Sequence, residues 1–138
     1  MQERRSRQRL PSIRVTARIG IRRGFLGRDW LAVRVLDFSN RGVAFTGTGD
    51  VPLEQGDRFQ MSLRLSTETG DFVVDKATAS ISNIRDMTQR RIYGARFSDD
   101  NPAAVRESLD RIEGIVKRYK ELSTRIFRHR EQDKPAAR

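Results

Sequence analysis

Apolar side chains fall at every second position through much of this chain. Ile13, Val15, Ala17, Ile19 and Ile21 form the first such run, and a period of two is that of a strand with one buried face. Gly24 and Gly27 interrupt it. Leu31, Val33 and Val35 then alternate with Ala32, Arg34 and Leu36, as far as Asp37-Phe38-Ser39-Asn40-Arg41-Gly42. Asp, Ser, Asn and Gly are turn formers, so a tight reversal is predicted there. A short strand, Val43-Ala44-Phe45-Thr46, and a loop, Gly47-Thr48-Gly49-Asp50, follow. Phe59, Met61, Leu63 and Leu65 repeat the period, and a turn over Thr67-Glu68-Thr69-Gly70-Asp71 leads into Phe72-Val73-Val74, continued by Ala77, Ala79 and Ile81. Ile92, Tyr93, Ala95 and Phe97 make the last strand. Six short strands with neither βαβ alternation nor an internal repeat predict a closed antiparallel barrel or a sandwich.

The period changes after Asp100-Asn101-Pro102. Val105, Leu109, Ile112, Val116 and Tyr119 recur at spacings of four and three, with Leu122 and Ile126 beyond. This is an amphipathic helix of roughly 25 residues, about 37 Å long. Asn101 is placed to act as its N-cap, with Pro102 at the first helical position. Gly114 weakens the helix by about 1 kcal/mol relative to alanine. The first half of the apolar stripe is expected to cover the barrel, where open rim residues need burial. The distal half is a candidate for self-association, which would make a homodimer through this helix, although the repeat is too short to demand a coiled coil. The chain thus divides into an arginine-rich arm over 1–11, a barrel over 12–100, the helix over 101–127, and a polar tail over 128–138 that is expected to be disordered.

Composition narrows the chemistry. A chain of 138 residues suits one domain with one modest core. Cysteine is absent, which removes disulfides, thiolate metal sites and thiol nucleophiles. The one histidine, His129, sits among arginines in the polar tail, so zinc sites and histidine-based triads are poor readings. No apolar run approaches the roughly 20 residues that cross a bilayer, and the charged N-terminus is not followed by an apolar stretch of the secretory kind. A cytoplasmic location is expected. Formal net charge is +10, so the partner sought is an anion: a nucleotide, a nucleic acid or an acidic lipid surface.

Two short patterns carry the functional reading together. Arg5-Ser6-Arg7-Gln8-Arg9 spaces two arginines by three residues, and Asp37-Phe38-Ser39-Asn40-Arg41-Gly42 has the form Asp-x-Ser-x-x-Gly. Either alone is weak. Their order and spacing around a six-stranded barrel resemble the PilZ domain family over approximately Arg4 to Tyr119, and Gly94 in Tyr93-Gly94-Ala95-Arg96-Phe97 is similar to the family's last strand. The resemblance implies a mainly β fold: a six-stranded antiparallel PilZ-type β-barrel with a flexible Arg-rich N-terminal arm and a long C-terminal α-helix. It also implies a receptor for the bacterial second messenger cyclic di-GMP, with Arg5, Arg9, Asp37, Ser39, Gly42 and Gly94 in the site. Arg4, just ahead of the motif, would stack on a second nucleotide, so one or two ligand molecules per chain are expected.

The chemistry agrees with that resemblance. Cyclic di-GMP carries two phosphates and two guanines, and arginine offers charge, a planar stacking face and a fork that pairs with guanine O6 and N7. Asp37 can accept from the guanine N1 and N2 donors, and Ser39 adds a hydroxyl. Gly42 lets the backbone turn or approach the ligand. An arm of mutually repelling arginines gains order when phosphates neutralise it, which changes the surface offered to an effector protein. No cofactor and no metal is expected. Family members act in motility, exopolysaccharide production, biofilm formation and virulence. The rivals are a nucleotide-independent PilZ-like scaffold for a protein partner and a small RNA-binding barrel. The second lacks the exposed aromatic series that single-strand binders stack upon, and Trp30 and Phe45 read as rim or core residues. An enzyme is disfavoured, since acidic pairs such as Asp99-Asp100 sit at a helix start where the dipole favours them.

Overall fold

The computed structural model describes residues 13–22, 27–47, 49 and 51–133; the side chains of Arg22, Arg28 and residues 123–133 fall outside that description. The arm assigned to residues 1–11, with Arg4, Arg5 and Arg9, lies outside the described residues. Among the described residues, six strands, β1 (Ile13–Arg22), β2 (Arg28–Phe38), β3 (Gly42–Gly47), β4 (Arg58–Thr67), β5 (Gly70–Asp86) and β6 (Arg91–Phe97), precede one helix, α1 (Ala103–Asp133). Every neighbouring pair is antiparallel, and the order β1-β2-β3-β6-β5-β4 closes on itself as a barrel. Closure pairs each of these strands on both sides, so among the described residues no strand is left as an open edge to template association.

The inward face is the alternating set read from the sequence. Ile19, Phe45, Met61, Leu63 and Leu65 are fully buried. Phe45 stacks on Tyr93 at 5.3 Å and meets Phe59 edge-on at 6.1 Å, in the offset and tilted arrangements that aromatic quadrupoles favour. The alternation breaks phase at three places. The β2–β3 register shifts between Val35 and Asp37, β4–β5 between Met61 and Leu63, and β5–β6 between Ile81 and Asn83. At each shift one strand carries an additional residue, and the interval between its core-facing residues grows from two to three: Val35 to Phe38, Val74 to Ala77, and Ile81 to Ile84. These bulges bend the strands so that a sheet of this size can close.

Helix α1 seals the barrel with Leu109, Ile112 and Val116, all part of the core cluster, while Val105 and Ile115 pack at its margin. Each such side chain contributes about 1.5–3 kcal/mol when fully buried. Leu122 is 40% exposed, so the stripe leaves the barrel before it ends. Two expectations need correction. Asn101 does not cap the helix: its Oδ1 accepts from Thr78 N at 2.8 Å, and its Nδ2 donates to Thr78 O and Ser98 O at 3.0 and 2.9 Å. Buried, it ties the helix lead-in to β5, and the first helical carbonyl bond runs from Arg106 N to Pro102 O. The helix also starts at Ala103, one residue after the expected first helical position, and continues past residue 127 through Asp133, because arginine, glutamate and glutamine there are strong helix formers with no proline before Pro135.

Gly114 is exposed within α1, and a Cβ built on it meets nothing within 4 Å. Gly114→Ala is therefore expected to stabilise the protein by up to about 1 kcal/mol. The check is a higher urea midpoint with an unchanged m-value.

Candidate functional site

The bulge at Leu36 decides where the Asp37 carboxylate goes. Strict alternation after Val33 and Val35 would turn Asp37 into the core. The additional residue reverses the phase, so Phe38 is buried and Asp37 faces outward, its side chain 70% exposed. Bulges re-aim side chains in this way next to functional sites. Directly paired residues of antiparallel strands share a face. Asp37 pairs with Ala44, Ala44 with Gly94, and Gly94 with Asn83. The four form one row across β2, β3, β6 and β5, with acceptor groups at both ends and the two smallest side chains between them. A planar ligand can lie on that floor. The next outward row is Gly42, Arg96 and Ser80.

The turn that follows Asp37 is held from within. The Ser39 hydroxyl accepts from Arg41 N at 3.2 Å and Gly42 N at 3.3 Å, and Ser39 N donates to Gly42 O at 2.9 Å. Ser39 therefore shapes the reversal, as hydroxyls in such turns do. Gly42 is needed for a different reason. A Cβ built there would collide with the carbonyl oxygen of Ala95 on β6, so glycine lets β3 lie against β6. The three atoms nearest a Cβ built at Gly94 all belong to the Asn83 amide, the first at 2.7 Å, and Asn83 is exposed.

Helix α1 reaches the same turn. Asn40 N donates to Glu113 Oε2 at 3.2 Å, Asn40 Nδ2 donates to Asp110 Oδ1 at 2.8 Å, and Lys120 Nζ lies 3.3 Å from Asp37 Oδ1. Asp37 Oδ1 also accepts from Phe38 N at 3.0 Å. Beyond the turn, a cleft of about 620 Å³ is bordered by Arg41, Arg96 and Arg106 together with Asp99 and Asp110. Chain topology adds one more relation. Thr16 of β1 pairs with Arg34 of β2, so three residues further out, Ile13 lies level with the Leu36–Asp37 region. The chain enters β1 at the Asp37 end of the barrel.

A search with family models matches the PilZ domain over residues 3–113. The chain belongs to the PilZ domain family. Among solved structures, this PilZ domain is similar to the PilZ domain of YcgR from Escherichia coli with c-di-GMP, at 17% identity and a TM-score of 0.55, covering 84% of this chain and 96% of that one. It is also similar to YcgR in complex with c-di-GMP from Escherichia coli, at 19% identity and a TM-score of 0.53, covering 84% of this chain and 49% of that one, so it spans about half of that longer protein. No curated protein sequence matches significantly. These likenesses establish the barrel-and-helix fold.

Of the residues singled out in the sequence, Asp37, Ser39 and Gly42 lie on one turn, and Gly94 lies two strands away on the Asp37 row. Arg4, Arg5 and Arg9 fall outside the described residues. Sequence reading missed Asn83, which shares the row through a bulge at Ser82. It also missed Asn40 and Lys120, whose contact with this PilZ domain's turn depends on where α1 packs. One signal was available: Asp110, Glu113 and Lys120 follow helical spacing beside the apolar stripe. Among the described residues no cluster of metal-ligating side chains occurs and no helix is long and apolar enough to cross a membrane.

Proposed function

We propose that this PilZ domain is a receptor for cyclic di-GMP, binding one or two molecules per chain and passing the signal to an effector protein. The observation that carries the reading is Asp37: a bulge turns its carboxylate outward onto a small-residue floor, at the barrel end where the arginine arm joins β1. In this reading the ligand lies on the Asp37–Ala44–Gly94–Asn83 row. Asp37 accepts from a guanine's N1 and N2 donors, and Arg5 and Arg9 close over the phosphates and a base face. Arg4 stacks on a second nucleotide where two are bound. Ser39 and Gly42 hold the turn that presents Asp37. The guanine donors replace Lys120 at the Asp37 carboxylate, which leaves the ammonium beside the ligand's negative charge. No covalent step is involved, and the domain is not an enzyme in this reading.

Neutralising the arm orders it against the barrel, and the new surface recruits the effector in motility, biofilm or exopolysaccharide control. A cytoplasmic receptor meets such a messenger directly. The distal half of α1, where Leu122 is exposed, is the surface for a second copy of the chain. Ligand contacts must offset the entropy of ordering the arm, so affinity is moderate and depends on phosphate charge.

Calorimetric titration tests this. Cyclic di-GMP is expected to bind where GTP and a short RNA do not, with an affinity that falls as salt rises. Absence of heat with cyclic di-GMP would leave a scaffold that works without nucleotide. Preference for the RNA would make the barrel a nucleic-acid binder.

A further inference from the structure

Thr16 stands at the centre of four arginines. Along β1 it is flanked by Arg14 and Arg18, and across the ladders it pairs with Arg34 of β2 and Arg64 of β4. All five residues are exposed. Paired Cβ atoms lie about 5 Å apart and same-face neighbours along a strand about 7 Å apart, so the guanidinium groups share one small area. Arg64 has Asp71 at 3.6 Å. Arg14, Arg18 and Arg34 make no ion pair among the described residues. Ser62, Ser66 and Ala32 fill the neighbouring outward positions, and none of these reaches as far as the arginines. At one margin of the same face, Trp30 pairs with Gly20 and remains 39% exposed.

Like charges on adjacent strands repel, so the barrel folds against this clustering, and a dense array of anions would relieve it. We infer that the outer face of β4, β1 and β2 docks on the anionic headgroups of a phospholipid membrane. The inference stands apart from the nucleotide reading, whose floor lies on β2, β3, β6 and β5. The order of residues on the face selects the partner. A protein interface places an aromatic or aliphatic anchor at its centre with charge at the rim. Here charge is central and the aromatic is marginal. A single-strand nucleic-acid platform needs successive aromatics, and the outward positions of these three strands carry Trp30 alone. A headgroup layer supplies phosphates to the arginines, and its boundary suits an indole, which places its ring at the headgroup level.

Each basic residue brought to an anionic membrane surface strengthens binding about fivefold. The test sediments the full chain with vesicles of phosphatidylglycerol mixed with phosphatidylcholine, against pure phosphatidylcholine. Trp30 is the one tryptophan of the chain, so its emission reports contact at the face itself. The expected result is partition onto the anionic vesicles alone, with a blue shift of Trp30 emission. Arg14→Ala/Arg18→Ala should weaken the partition by about 25-fold, and Thr16→Glu, which sets one carboxylate among the arginines and keeps all four, by about fivefold. Three results would overturn the inference: no partition, partition that neither variant weakens (contact through the arm instead), or RNA binding that follows these arginines without vesicle binding.

Discussion

Arg5→Ala/Arg9→Ala is expected to abolish measurable binding of cyclic di-GMP, and Asp37→Ala to weaken it by up to about a hundredfold. Hydrogen bonds to charged groups contribute about 1.5–3 kcal/mol each. Losing the Asp37 acceptor thus corresponds to roughly a ten- to 150-fold change, and losing two arginine contacts to roughly a 150- to 25,000-fold change. The fold should tolerate the Asp37 change. Asp37 is bonded to Lys120 and to Phe38 N, and an exposed ion pair contributes no more than about 1 kcal/mol. Calorimetry on each variant, beside its thermal midpoint, checks both halves of the expectation. Full affinity in Asp37→Ala would reduce Asp37 to a surface partner of Lys120. Weakened binding with an intact midpoint would make its outward turn a ligand contact.

That outward turn marks the limit of what the sequence made legible. The six strands and their inward residues follow from the period of two, because burying one face of a strand leaves few other patterns. The bulges were written there as well, in the three-residue steps from Val35 to Phe38, from Val74 to Ala77 and from Ile81 to Ile84. A strict alternation reading passes over them, since it treats a misplaced apolar residue as noise. The cost falls on the site. Without the Leu36 bulge, Asp37 would be assigned to the core; without the Ser82 bulge, Asn83 would not join its row.

The helix shows a second limit. Its apolar stripe was plain, yet the contacts of Asn40 with Asp110 and Glu113, seventy and seventy-three residues apart, depend on how α1 crosses the barrel end. Local pattern carries no information about that crossing. Asn101 fails for a related reason. Asparagine ahead of a helix has the chemistry of a cap, but the same amide bonds equally well to a passing strand, and Thr78 of β5 offers both a donor and an acceptor. Tertiary pairing wins because the side chain is buried there and must satisfy all its groups.

Gly42→Ala is expected to cost about 3 kcal/mol, at the upper end of what overpacking usually costs, and to lower the thermal midpoint by roughly 10 °C. The added Cβ would meet the Ala95 carbonyl, a backbone atom that no rotamer change can move. Strand β3 cannot step aside either. Gly42 O is bonded to Ser39 N at 2.9 Å, and Phe97 N donates to Arg41 O at 2.8 Å, so the turn and the β6 ladder hold it from both ends. Gly94→Ala supplies the contrast. The atoms nearest its added Cβ are those of the exposed Asn83 amide, which can rotate away for less than about 1 kcal/mol. Denaturant unfolding of the two variants, with cyclic di-GMP titrated onto each while folded, separates the two roles. If folded Gly42→Ala still binds ligand, the final glycine of Asp-x-Ser-x-x-Gly belongs to the barrel and Asp37 to the ligand. One sequence signature then serves two physical demands. Equal stability in Gly42→Ala would instead require β3 to lie further from β6, and would return Gly42 to a role at the ligand.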